Sequence, residues 1–357
     1  MQRAALLLGT VAILTGCSTD LEINAPYKDI TVVHGLLNMR DSIHYVKISK
    51  AFLGEGDALL YAQIQDSNEW APGAIEYAQV VRKLNGSVVG TFNLYDTVIT
   101  DREPGTFYAP EQTIHYFVDP FTRNIPQGGT PTTMHLDHDS DYELQLRIKG
   151  QDITAATNIV NDFSFVSADQ ATTVPIELHN GSQYGAFELN WSSSLDGKRY
   201  VADYTFHYKE VTGTDTVTKR FTQRLGTRVS GNPNGSEPMS VALDGEEFFS
   251  SVATAVGNAV VDQRIYMGID FTVSVANEEF HTYLTLTEPV TGIVQDRPSY
   301  SNVANGYGIF GGRYVKYILG KRLGSNSLNQ LCDGPVTGTL RFCSGMPGDV
   351  VSPHYCP

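Results

Sequence analysis

Charge is what this chain of 357 residues has least of. Asp, Glu, Lys and Arg together make up 18% of it, and 25 basic against 39 acidic residues leave a net charge of −14. So acidic a balance excludes a nucleic-acid partner, because a phosphate backbone demands a basic surface. Peripheral attachment to anionic headgroups is excluded on the same ground. Tryptophan is scarce at 2 residues and cysteine at 4. Beyond the N-terminus, no apolar run approaches the roughly 20 residues that a membrane-spanning helix needs. Phosphate-loop and dinucleotide fingerprints are missing, so no cofactor is implied. The serine-hydrolase turn G-x-S-x-G is missing too: in Gly181-Ser182-Gln183-Tyr184-Gly185 the serine stands one place early. The vacant share of composition goes to Gly, Thr, Ser, Asn and Tyr, which suits β-structure outside the cytoplasm.

What is present begins at the N-terminus. Met1 to Arg3 is a short basic start, Ala4 to Leu14 an apolar run, and Leu14-Thr15-Gly16-Cys17 a bacterial lipobox. The apolar run is too short to span a bilayer, and small residues before a cleavage point mark an export signal. The expectation is cleavage before Cys17, which then carries the acyl chains; several chains at one site hold a protein stably where one does not. Residues 1–16 are therefore read as signal peptide and 17–28, polar and containing Pro26, as a tether.

The remainder reads as all-β: two β-sandwich domains, the first immunoglobulin- or transthyretin-like (29–166), the second fibronectin-like (174–324), with a few short helices. In the first, Ile30–Leu37, Ile43–Ala51, Ile75–Leu84, Val88–Leu94, Ile114–Val118, Tyr142–Lys149 and Ile153–Val160 carry strand signals. Asn85-Gly86 and Gly150-Gln151 mark hairpins. Glu55 to Ala74 is expected as a long loop with a helical turn. In the second, strands are expected at Phe187–Trp191, Tyr200–Val211, Thr216–Arg224 and Arg264–Ala276. Short helices are expected at Phe248–Val256 and Asn277–Leu286, where Phe280, Tyr283 and Leu284 recur at helical spacing. The boundary falls at Ser167–Thr173, and 325–357 forms a cysteine-containing tail.

Candidate chemistry is sparse. Asp137, Asp139 and Asp141 occupy positions 1, 3 and 5 of a calcium loop, but position 6 is Tyr142 where Gly is needed and position 12 is Ile148 where Glu is needed. A looser metal site including His135 and His138 competes with a solvated turn whose Asp and Ser side chains bond local backbone. The same carboxylates are the candidates for a hydrolase acting on glycan or peptide. Trp70, in the long loop, is the aromatic best placed for ligand binding, since loops carry function more often than strands. The 19 Tyr and 16 Phe either fill cores or form a stacking platform. In the tail, Cys332, Cys343 and Cys356 allow three single bridges, with Cys343–Cys356 preferred because it fastens a free end. Cys332 is then a buried thiol. A Cys₃His zinc site with His354 is the competing reading.

The segment Asn305-Gly306-Tyr307-Gly308-Ile309-Phe310-Gly311-Gly312 resembles the late signature of a family of Bacteroidetes outer-membrane lipoproteins known only as a domain of unknown function. The lipobox, the early strand Val32–Asn38 and the strand Tyr45–Leu53 fit the same layout. The glycine segment itself is expected to be a loop closing the second domain. The resemblance implies a lipoprotein at the outer membrane, facing periplasm or cell surface, in a lineage where such proteins work beside TonB-dependent transporters. It brings no catalytic residue. Asp20 and Glu22 after the lipid cysteine resemble that lineage's surface-export tag, and Asp41-Ser42-Ile43, Asp96-Thr97-Val98 and Asp215-Thr216-Val217 its O-glycosylation triplet. The leading expectation is a non-enzymatic ligand-binding or transporter-accessory module. A hydrolase and a structural or adhesive surface protein are the alternatives.

Overall fold

The computed structural model describes residues 28–53, 57–109, 111–125, 132–257, 259–288 and 299–356. The signal segment 1–16, Cys17 and the tether up to residue 27 lie outside the described residues.

The chain opens with β1 (Lys28–Leu37) and β2 (His44–Leu53), and the long loop that follows holds two short helices, α1 (Ala58–Ala62) and α2 (Gln65–Asn68). Strands β3 (Ile75–Leu84) and β4 (Ser87–Asn93) meet at Asn85-Gly86, whose φ values of 50° and 77° are those a two-residue hairpin turn requires. Then come β5 (Tyr95–Ile99), β6 (Gln112–Phe117), β7 (Arg123–Ile125), β8 (Thr132–Met134), β9 (Asp141–Ile148) and β10 (Gln151–Thr157). The second half contains β11 (Ala186–Ser192), β12 (Arg199–Thr212), β13 (Asp215–Val229), β14 (Pro238–Asp244), α3 (Gly245–Val256), β15 (Gln263–Ala276), α4 (Glu278–Thr287), β16 (Tyr307–Lys321), α5 (Ser325–Asp333) and β17 (Phe342–Ser344). Asp244 and Asn277 cap α3 and α4 by accepting from the backbone N–H groups of Glu247 and Phe280.

The fold is all-β and sandwich-like. Its backbone is a nine-stranded mixed sheet in the order β13-β12-β15-β16-β1-β2-β6-β5, with β17 on β15. A four-stranded sheet, β10-β9-β3-β4, covers the β1-β2-β6 end, and the pair β11-β14 with α3 covers the β12-β15 end. Strand alternation decides which residues are inside. Val33, Val46, Ile48 and Phe117 of the large sheet are buried with Val80, Leu144 and Leu146 of the small one. At the other end Phe187 meets Phe271 with ring centroids 5.2 Å apart, and Phe248 meets Phe206 at 5.9 Å.

Strands from both halves share the large sheet. Residues Val32–Leu37 of β1 pair in parallel with Tyr307–Gly312 of β16. The glycine segment, expected as a loop, is therefore the start of a strand. Glycine is poor in strands unless another backbone must come close, and that is the case here. A Cβ on Gly308 (φ +109°) would lie 1.9 Å from the Val33 carbonyl oxygen, and one on Gly312 would lie 2.5 Å from the Asn158 carbonyl oxygen. Asn302 secures the entry, donating to the Phe310 carbonyl (2.6 Å) and accepting from its N–H (3.0 Å).

The stretch 167–173 holds one 3₁₀ turn, Ala168–Gln170, and is pinned to β16. Lys321, fully enclosed, directs its ammonium at the carbonyls of Asp169 (2.6 Å), Ala171 (2.8 Å) and Val174. All three ammonium donors are thus used. Burial pushes this Lys down to about 8.

The cysteine-containing tail is packed: Leu328 and Leu331 of α5, with Leu340 and Phe342, belong to the core. A 3₁₀ turn, Gly338–Leu340, leads into β17, which pairs with Arg264–Tyr266. Arg264, itself buried, holds this segment by donating to Leu340 O (2.8 Å), Ala259 O (2.9 Å) and Glu210 (3.0 Å). Cys343 and Cys356 are joined by a disulfide, and Cys332 is a free, buried thiol that burial and nearby Asp333 and Asp349 push up to about 12.

Candidate functional site

The acidic turn 137–141 folds on itself. Asp137 accepts from Ser140 Oγ (2.8 Å) and the Asp139 N–H (3.3 Å), so its oxygens cap their own turn. Tyr142, which replaces the glycine a calcium loop requires, is a core residue. Its hydroxyl donates to buried Asp119 (3.0 Å) and accepts from the Asp137 N–H (2.9 Å). Asp119 is in turn held by both its oxygens on Arg82, at 3.0 and 2.9 Å. Asp137, His138 and Asp139 can bring donor atoms within 4.8 Å of one another, and His135 and Asp141 are not part of that group. Arg123 stands 3.4 Å from Asp139 and 3.4 Å from His138 Nδ1, so a cation of the chain already sits there. Turn and guanidinium satisfy each other.

Trp70 has a different setting. The loop 57–74 folds back through α1 and α2 so that α2 packs on β2, and Trp70 follows α2 half-buried against the core. It walls a cleft of about 350 Å³ between this loop and strands β2, β3, β5 and β6, with Ile48, Glu69, Pro72, Tyr77, Leu94, Asp96, Thr113 and His115. That volume falls at the small end of the roughly 300–1,000 Å³ typical of ligand sites. The strands fix each polar group. Thr113 on β6 donates its N–H and hydroxyl to the two Glu69 oxygens, both at 3.2 Å. Gln65 adds a third donor to Glu69 at 3.3 Å. His115, two residues on and thus on the same face, sets Nε2 3.2 Å from Asp96 of β5. Burial lowers the His115 pKa, against the opposing pull of Asp96 and Glu69. Trp70 Nε1 is enclosed without a hydrogen-bond partner among the described residues. Lys50 and Lys149 lie 5.7 and 5.4 Å from the indole centroid, each also paired to Asp29.

On the opposite face of β2, β6 and β5, Tyr45, Tyr116 and Tyr95 stand in cross-strand register with centroids 6.3 and 5.9 Å apart. This row is where the tyrosine content forms a surface rather than a core. A second cavity, about 360 Å³, lies beside it, lined by His34, Leu36, Tyr45, Phe280, Tyr283 and Arg313 among others. Sequence reasoning singled out Trp70 but missed Glu69, Asp96, Thr113 and His115. The last three belong to strand alternation, and only the β5-β6 pairing brings them to the cleft.

No protein-family model matches the chain, and no curated protein matches it. Among solved structures, the chain is similar to the C-terminal globular domain of an oligosaccharyltransferase from Pyrococcus abyssi, at 11% identity and a TM-score of 0.24, over 68% of this chain and 45% of that one. It is also similar to a DUF4785 family protein from Legionella pneumophila, at 9% identity and a TM-score of 0.17, over 69% of this chain and 52% of that one. The chain thus spans about half the length of each. Superpositions this poor carry no conclusion about function. Among the described residues, no helix is long and apolar enough to cross a membrane.

Proposed function

We propose that this chain is a lipid-anchored envelope protein of the Bacteroidetes outer-membrane lipoprotein kind, acylated at Cys17, whose folded body is a ligand-binding module. In this reading it works at the outer membrane beside a transporter of the TonB-dependent class. The lipobox Leu14-Thr15-Gly16-Cys17 and the Asn305–Gly312 segment support the address. The observation that carries the binding role is the Trp70 cleft. It combines a concave wall, two aromatic rings and convergent polar groups held by strands, which is the composition of a ligand site. A carboxylate pair also lines it, but binding needs only the arrangement described, whereas catalysis needs a substrate pose as well.

Two measurements test the reading. A fatty-acid probe should label wild type and not Cys17→Ala; equal labelling removes the anchor. The ligand site has a built-in reporter, because Trp191 is enclosed in the core and Trp70, the other tryptophan, faces the cleft. Screening amines, sugars and peptides by fluorescence should yield a ligand whose signal vanishes in Trp70→Phe. A ligand bound equally well by that variant would place the site elsewhere. Pull-down from detergent-solubilised membranes, with recovery of a transporter, tests the accessory role.

A further inference from the structure

We infer that the Trp70 cleft receives an organic cation, an alkylammonium or guanidinium head. This deepens the binding reading above and rests on it.

The inference follows from an inventory of donors and acceptors. Most side-chain donors lining the cleft are spent: the Thr113 hydroxyl on Glu69, the His115 Nε2–H on Asp96, and the Tyr77 hydroxyl on Asp152 (3.5 Å). The Trp70 indole N–H is the exception, without a partner among the described residues. No lysine or arginine lines the cleft. What else stays open is electron-rich. The Asp96 side chain is 73% exposed, and a carboxylate keeps lone pairs beyond the one that His115 uses. Tyr77 is 41% exposed and offers its ring face, and the Trp70 indole walls the cleft beside it. Carboxylates and aromatic faces together suit a ligand that only donates, and cation–π attraction favours Trp among the rings. A neutral sugar must also find donors for its own acceptors, and among the lining side chains only the Trp70 indole N–H is free. An anion would meet Glu69 and Asp96 directly. The indole already draws two lysines of this chain, Lys50 and Lys149, which Asp29 holds and which do not line the cleft. His115 acts as a positioning residue that orients Asp96.

The ammonium could come from a free amine or from a lysine side chain of a peptide, and the assay separates the two. The full-length protein is titrated with n-butylammonium, with a Gly-Lys-Gly peptide blocked at both ends, with N-butylacetamide as the uncharged control, and with a neutral disaccharide, reading Trp70 fluorescence. Expected are saturable signals from butylammonium or the peptide, silence from the amide and the sugar, and binding about tenfold weaker in Asp96→Asn. Raising the salt should weaken it further. Since Asp96 is largely exposed, that variant should fold, and circular dichroism confirms it. If the amide or the disaccharide binds the cleft and the cations do not, the cationic class is wrong while the cleft survives as a site. If no probe moves Trp70, both readings fall.

Discussion

His44 gives a sharp test of how this core is charged. It lies on the inner face of β2, 2% exposed, against Phe117 at 5.0 Å, and neither ring nitrogen has a hydrogen-bond partner. Burial, aided by His135, lowers its pKa from the ordinary 6.5 to about 4. As pH falls from 6.5, the unfolded chain takes up this proton first, so stability drops steadily and levels off only below the folded value. Each pH unit in that window is worth about 1.4 kcal/mol, giving a full penalty of about 3 kcal/mol and roughly 2.5 kcal/mol by pH 4.5. The perturbation is His44→Phe, which keeps the aromatic packing and removes the titration. The assay is urea unfolding of both proteins at pH 7.5 and 4.5, followed by circular dichroism. Burial also lowers His34, His115 and His281, so both proteins should lose stability in acid. The variant should lose less, by about 2–3 kcal/mol. Identical losses would mean that His44 reaches a partner or solvent on protonation, and the reasoning fails.

Three further outcomes are expected. Replacing Cys343 and Cys356 together by Ser opens a loop of sequence separation 13 and should lower unfolding free energy by about 3 kcal/mol; no change in the urea midpoint would refute it. Gly308→Ala should give no soluble folded protein, or a loss above about 4 kcal/mol, because its Cβ meets the Val33 carbonyl oxygen. Gly105→Ala, with nothing within 4 Å, is the control and should be neutral. Finally, Cys332 should resist iodoacetamide at pH 8 and react fully in urea, since burial keeps its thiol protonated; labelling under native conditions would contradict this.

Local signals reported local structure. The alternation in Tyr200–Val211 became β12, buried at every second residue, and Asn85-Gly86 turned as its φ values demand. The helical spacing of Phe280, Tyr283 and Leu284 became α4. Pairings between distant segments carry no such signal. Nothing in Val32–Leu37 names Tyr307–Gly312 as its neighbour, so glycines that permit close approach looked like loop glycines. The tail did hold a readable cue, Leu328, Leu331 and Cys332 at helical spacing, masked by the surrounding Gly and Pro. Spacing alone left three cysteine bridges open. At the cleft, Trp70 stood out by scarcity and loop position, while Asp96 and His115 became neighbours only through strand register.

The place of β1 has a mechanical meaning. It is an interior strand, antiparallel to β2 on one side and parallel to β16 on the other. A pull on the N-terminal end of the chain acts along β1 and loads both ladders in shear, so many backbone hydrogen bonds resist at once instead of parting one by one. The neighbour on one side, β16, is itself tied through Lys321 to the 167–173 segment and through β15 to the disulfide-bound tail. Force entering at residue 28 is therefore shared with the C-terminal end of the molecule, and the same strand cannot finish pairing during synthesis until Tyr307–Gly312 has been made. A protein built this way resists being drawn out from its N-terminus, and it completes its fold late.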